Sequence, residues 1–156
     1  MSDFHSPSIA YSALSPILIP GIAATVGVLV DAFLPRQMRW VAQTVVALLG
    51  LVGSLIAVAV LAGTHTITAD TAVSIDGPTL FIQGTIAILG IGSVLLVSDR
   101  SAALDGGAFV AQAATAPGSA DERAGTAAGL IQTEVFPLMM FSVTGMMLFP
   151  ASNDLL

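Results

Sequence analysis

Val41–Ala62 reads VAQTVVALLGLVGSLIAVAVLA and carries no charged residue. A helix needs roughly 20 apolar residues to cross the hydrocarbon of a bilayer, and this run meets that requirement. It shows no sustained period-2 alternation, which a membrane β-barrel strand requires. Its reading as a transmembrane helix decides the fold, because three further runs resemble it. Upstream lies Leu14–Leu34, LSPILIPGIAATVGVLVDAFL. Downstream lie Leu80–Val97, LFIQGTIAILGIGSVLLV, and a segment ending at Phe149 that contains EVFPLMMFSVTGMMLF. Counted from Glu134 the last run is short, so it must extend back toward Leu130 to span.

Composition agrees. Of 156 residues, 55% are hydrophobic and 9% charged, with a mean hydropathy of +0.93. Soluble domains carry about 25% charged residues. The fold class is therefore all-α and polytopic, a single membrane domain with helices at about 14–34, 41–62, 80–97 and 130–149. The 98–133 segment is a long connection, and 150–156 reads as the start of a fifth helix. That connection is rich in Ala, Gly and Ser, with a turn signal at Pro117-Gly118 and a short surface helix expected around Gly107 to Thr115.

Several function classes are excluded. The chain has no cysteine, which rules out disulfides, thiol catalysis and Cys-ligated zinc or iron–sulfur clusters within it. Its basic residues are four arginines and it has no lysine, against a net charge of -6. No basic patch is available for nucleic acid. The opening MSDFHSPSIAYS lacks a basic n-region and a small-residue cleavage site, so no removable signal peptide is read.

Arg36 and Arg39 fall between the first two helices, and Arg100 and Arg123 between the third and fourth. The 63–79 loop has Asp70 and Asp76 and no arginine. The positive-inside rule places the arginine loops in the cytoplasm and both ends of the chain outside. Small residues recur four apart at Ala23/Gly27, Gly50/Ser54 and Gly53/Ala57, which lets helix backbones approach closely.

Intramembrane ionisable groups are the default functional candidates in such a protein. Two exist. Asp31 lies near the cytoplasmic end of the first helix, where an interfacial carboxylate beside Arg36 and Arg39 is the simpler reading. Glu134 opens the fourth helix, where the helix dipole favours a carboxylate and Thr133 offers a cap. His5 and His65 are far apart in sequence and lack further ligands, so no metal site is expected. Met139, Met140, Met146 and Met147 read as packing residues, and Trp40 as an interfacial anchor. Gly90 and Gly92 lie within a span and are no phosphate loop. No nucleophile–base pair is evident.

The end of the chain, EVFPLMMFSVTGMMLFPASNDLL, resembles the fourth-helix region of the subunit N family of bacterial NADH-quinone oxidoreductase, the antiporter-like membrane subunits of respiratory complex I. The resemblance is carried by Glu134-Val135-Phe136, by Gly145-Met146-Met147 and by Ala151-Ser152-Asn153-Asp154-Leu155-Leu156. Ser74-Ile75-Asp76-Gly77 adds a weaker match. Phe136 in place of the family's common Tyr, the added Pro137 and the long 98–133 connection depart from the pattern.

The resemblance implies an amino-terminal fragment of a fourteen-helix subunit built from two inverted five-helix repeats. The family's proton-relay glutamate belongs to helix five and its lysines to later helices, so none of these maps onto this chain. It implies that the intact subunit couples quinone reduction to proton transport, with the fragment alone inactive. It also implies a bacterial inner-membrane location and other complex I membrane subunits and lipid as partners. NADH, FMN, iron–sulfur clusters and quinone belong to the assembly, and no cofactor is bound by this chain. The alternative is a complete small four-helix membrane protein with a structural or assembly role.

Overall fold

The computed structural model describes residues 10–68, 72–98 and 133–153. Among them the elements are α1 (Ser15–Phe33), α2 (Arg36–Val60), β1 (Thr66–Thr68), β2 (Val73–Ile75), α3 (Gly77–Ser98) and α4 (Val135–Leu148), with a 3-10 turn at Phe149–Ala151. The expected surface helix at Gly107–Thr115, the Pro117-Gly118 turn, Arg100, Arg123, His5, Asp70 and the helix start at Asp154–Leu156 lie outside the described residues.

α1, with 19 residues, and α3, with 22, are about 28 and 33 Å long. Both match a hydrocarbon core of about 30 Å. α2 has 25 residues and begins at Arg36, five positions before its apolar run. Arg36 and Arg39 therefore occupy the first turn of α2 and not a loop. Proline explains the boundary. Leu34 precedes Pro35 and is driven out of the helical region, to φ -82 and ψ 148. Pro35 is also extended, at φ -66 and ψ 144, and serves as N-cap. Two residues thus link α1 to α2, and Arg39 Nε donates to the Leu34 carbonyl at 2.7 Å.

α4 has 14 residues, fewer than a span requires, and the 3-10 turn continues it to Ala151. Three helices are long and apolar enough to cross a membrane, and α4 is the shorter fourth. The described helix of the fourth apolar run begins at Val135, and Leu130, toward which the run is expected to extend, lies outside the described residues.

Side-chain contacts fix an up-down-up-down order. Gly27 meets Gln43, and Pro16 meets Ser54, so α1 and α2 are antiparallel. Gly90 meets Leu51 of α2, Gln83 meets Met147, and Gly21 meets Thr144, which sets α3 and α4 in turn. The buried core lies between the helices and includes Ala24, Leu51, Ala87, Phe136, Met140 and Val143. The outward faces carry Ile22, Leu49, Ile88, Leu96 and Leu138, all exposed, as lipid-facing surfaces should be.

The small-residue spacing in α1 and α2 is realised as one close crossing. A Cβ added to Gly50 would come within 2.5 Å of Ala23 Cβ, and one added to Gly27 within 2.9 Å of Gln43 Oε1. Trp40 faces inward, with its ring edge-on to Phe136 at 5.2 Å and 82°, so it packs the bundle instead of serving only as a surface anchor.

The sequence pattern gives no hint of strands in the 63–79 loop, yet a small antiparallel hairpin forms there, pairing Thr66 with Ile75 and Thr68 with Val73. Short β-branched stretches of three residues are too brief to register as periodicity. The hairpin gathers the described ends of the chain. Ala10 N–H donates to Thr68 Oγ1 at 2.8 Å, Asn153 N–H to the Ala72 carbonyl at 2.9 Å, and Ser152 bridges Val73. Ser152 closes the 3-10 turn in an extended conformation.

Asp76 caps α3, with its Oδ1 accepting the Thr79 amide at 2.9 Å. The Thr79 hydroxyl and then the Thr79 amide hold this carboxyl below its ordinary value of 3.8. The hydroxyl has one proton and also lies 3.0 Å from the Pro150 carbonyl, so the amide is the contact that does not have to choose. A depressed folded-state value stabilises the fold above the unfolded value, and that contribution disappears as pH falls through the folded one. The protection of the Thr79 and Leu80 amides, measured against their intrinsic exchange, is therefore expected to fall as pH drops below the ordinary value of 3.8 and through the depressed one. In Asp76→Ala that protection should be low at every pH.

Candidate functional site

Polar side chains are buried at both ends of the bundle and missing from its middle. At the arginine end three helices meet. Asp31 of α1 accepts from the Thr133 hydroxyl, just before α4, at 2.6 Å through Oδ1. Its Oδ2 is buried and has no hydrogen-bond partner. Gln43 of α2, 1% exposed, donates through Nε2 to the Gly27 carbonyl at 2.7 Å.

At the hairpin end the polar contacts repair broken helices. Pro20 has no N–H, so the Pro16 carbonyl, four residues back, loses its intrahelical donor. Ser54 of α2 supplies one at 2.6 Å. α4 ends in the 3-10 turn, which frees carbonyls at its last turn. Gln83 of α3, fully buried, donates to the Met147 carbonyl at 3.0 Å, and Thr79 donates to that of Pro150. A proline kink in a membrane is tolerated when a neighbour satisfies the freed group in this way. Ser54→Ala is expected to destabilise the bundle by about 1–2 kcal/mol, because it strands a buried carbonyl. Equilibrium unfolding in detergent measures it, and Thr25→Ala, at an exposed hydroxyl, is the control.

Between Gln43 and Ser54 the inward face of α2 presents Ala47, Gly50 and Leu51, packed on Ala23 and Met140. This apolar stretch is about 16 Å long at 1.5 Å per residue. No titratable group bridges it among the described residues, and no group of three potential metal ligands occurs there.

The sequence-derived candidates separate accordingly. Asp31 is half-buried, and its described partner is Thr133, not an arginine. Thr133 is spent on that contact, and Glu134 itself takes the N-cap position of α4, exposed and without a side-chain cap bond. Gly145 and Met146 face outward, and a Cβ on Gly145 would meet nothing within 4 Å. Ser152 and Asn153 tie α4 to the hairpin, far from Asp31, and Asp154 lies outside the described residues. His65 is exposed. Met140 and Met147 are buried as packing residues.

Sequence reasoning missed Gln43, Ser54 and Gln83 as site residues. The signal was present, since a glutamine inside an uninterrupted apolar run must find hydrogen-bond partners within the bundle.

The arrangement is a membrane bundle with Asp31 tied to Thr133 near its arginine end and an apolar centre among the described residues. No protein-family model matches the chain. Curated relatives do. NADH-quinone oxidoreductase subunit N of Acidothermus cellulolyticus is 58% identical over 97% of the chain. The protein of the same name from Parafrankia sp. is 51% identical over 96%, and that of Saccharopolyspora erythraea 49% over all of it. The chain belongs to the subunit N family.

The chain spans 29% to 31% of the length of these relatives. Within the subunit N family, the matched region therefore covers the polytopic helical bundle described above. The alignment runs through α1, the hairpin and α4, so the resemblance first read in the final residues extends along the chain.

Proposed function

We propose that this chain forms a scaffold portion of the membrane arm of a proton-translocating NADH-quinone oxidoreductase, the intact subunit coupling quinone reduction to proton transport. The observation that carries this is identity of 58% over 97% of the chain to a protein named NADH-quinone oxidoreductase subunit N. The apolar centre supports the scaffold role, since a proton relay needs titratable groups and none bridges the middle among the described residues. The structural-or-assembly alternative, a complete small protein without transport, is not what the relatives favour.

The partners are the other membrane subunits of the same enzyme and the surrounding lipid. NADH, FMN, iron–sulfur clusters and quinone bind elsewhere in the assembly. The location is the bacterial inner membrane. Arg36 and Arg39 at the start of α2 favour the cytoplasmic side for that end of the bundle, which places the hairpin outside.

Two measurements test the proposal. The tagged chain, expressed in a bacterium that makes the enzyme, should co-purify with its membrane subunits. Reconstituted alone in liposomes, it should move no protons. Proton uptake by the isolated chain, abolished in Asp31→Asn, would overturn the scaffold reading, and failure to capture any subunit of the enzyme would overturn the partnership.

A further inference from the structure

Half of the Gln83 amide is left unused by the scaffold role. The side chain is fully buried where α3 meets the end of α4, and its Oε1 has no hydrogen-bond partner. We propose that Gln83 Oε1 binds a buried water molecule, whose second hydrogen goes to the Met146 carbonyl and closes the broken end of α4.

Chemistry fixes the orientation of the amide. Its other terminal atom lies 3.0 Å from the Met147 carbonyl. A carbonyl only accepts, so that atom is the nitrogen, and the oxygen is the one left over. The hydroxyls at this junction cannot serve it. Ser54, with Met147 Sδ at 3.7 Å, gives its one proton to the Pro16 carbonyl at 2.6 Å. Thr79, one turn before Gln83, has its single proton claimed by the Pro150 carbonyl and by Asp76. A buried acceptor without a donor is costly, and bound water is the usual remedy where protein donors run out.

A buried water needs at least two polar partners. The sequence supplies the second. Pro150 has no N–H, so the Met146 carbonyl, four residues back, has no α-helical donor. The Phe149 N–H, which a tighter turn would bring to it, goes to the Gly145 carbonyl instead. Met146 immediately precedes the residue whose carbonyl Gln83 holds. Water thus does for the end of α4 what Ser54 does for the kink in α1. The way in is short. Gln83 lies six residues into α3 from Gly77, about 9 Å at the helical rise, and Gly77 and Pro78 are exposed beside the hairpin.

Radiolytic footprinting of the full chain in lipid nanodiscs tests the proposal. A brief X-ray exposure makes hydroxyl radicals from water where it sits, and a radical born at a bound water oxidises the methionine beside it. Met147 and Met140 are equally buried, at 0% and 1% exposure, so they form an internal comparison. Met147 should oxidise several-fold faster than Met140, which packs in the apolar middle beside Gly50. Gln83→Leu should bring Met147 down to the rate of Met140. Pro150→Ala, which returns an N–H to the Met146 carbonyl, should lower it part of the way. The wild-type comparison needs no variant to fold. The readout involves neither transport nor partner subunits, so it stands or falls apart from the assembly reading. Met147 as protected as Met140 in the wild type would overturn the water site. Oxidation unchanged in Gln83→Leu would overturn Oε1 as its holder, and oxidation unchanged in Pro150→Ala would overturn the Met146 carbonyl as its second acceptor.

Discussion

Gly50→Val forces α1 and α2 apart and is expected to cost about 3 kcal/mol, the upper part of the overpacking range. The reason is geometric. The first carbon of any side chain at this position would lie 2.5 Å from Ala23 Cβ and 3.0 Å from Met140 Cε. Met140 can swing its terminal methyl away, but Ala23 Cβ is attached directly to the backbone of α1 and can move only with its helix. Lipid offers no hydrophobic force to hold the helices together once close packing is lost, so contact itself is what is given up. Two other glycines calibrate the effect. Gly53→Val meets Ile19 Cγ2 at 3.3 Å and should cost less, because that side chain can adjust. Gly145→Val meets nothing within 4 Å and should fall within about 0.5 kcal/mol of wild type. Equilibrium unfolding in mixed micelles ranks the three. Equal losses at Gly50 and Gly145 would show that the α1–α2 crossing is not as close as described. In Gly50→Ala, the second change Ala23→Gly should restore part of the loss, which a double-mutant cycle isolates.

Phe136→Ala is expected to cost about 3 kcal/mol, at the low end for removal of a buried phenylalanine. Phe136 is fully buried at the start of α4 and holds the edge-on contact with Trp40 that joins α4 to α2. Aromatic pairs of this geometry contribute about 0.5–1.5 kcal/mol beyond their buried area. The low end applies because the unfolded reference in a bilayer is already out of water, leaving the cavity and the lost ring contact. The readout is clean, since the chain contains one tryptophan. Trp40 emission should shift and its quenching by lipid-borne quenchers should rise as the ring loses its cover. Phe136→Leu should retain most of the stability while losing the ring geometry. Emission unchanged in Phe136→Ala would mean that Trp40 does not rest on that ring.

The helices were legible because apolar length is a physical requirement of the bilayer, and Val41–Ala62 satisfies it without help from any neighbour. Their ends were less so. Counting apolar residues finds the membrane-embedded part of α2, whereas Pro35 sets where its helix begins, five residues earlier and with two arginines inside it. The hairpin escaped notice because three-residue strands leave no periodic trace, and the contacts that tie it to the rest of the chain come from the distant Ala10 and Asn153. Asp31 was visible as a charge in an apolar run. Its partner was not, since Thr133 lies about a hundred positions away and reads locally as a cap for α4. Gln43 and Gln83 could have been flagged from their apolar surroundings alone, but which carbonyls they serve depends on where Gly27 and the end of α4 arrive in space.

The apolar stretch between Gln43 and Ser54 has an electrical meaning. A slab of low dielectric about 16 Å thick, without mobile charge, behaves as the insulating layer of a capacitor, and much of any voltage across the membrane falls over it. Moving one elementary charge through the full field involves about 2.3 kcal/mol per 100 mV. Groups at Asp31 and at the hairpin would therefore sense nearly opposite limits of the membrane potential while belonging to one rigid bundle.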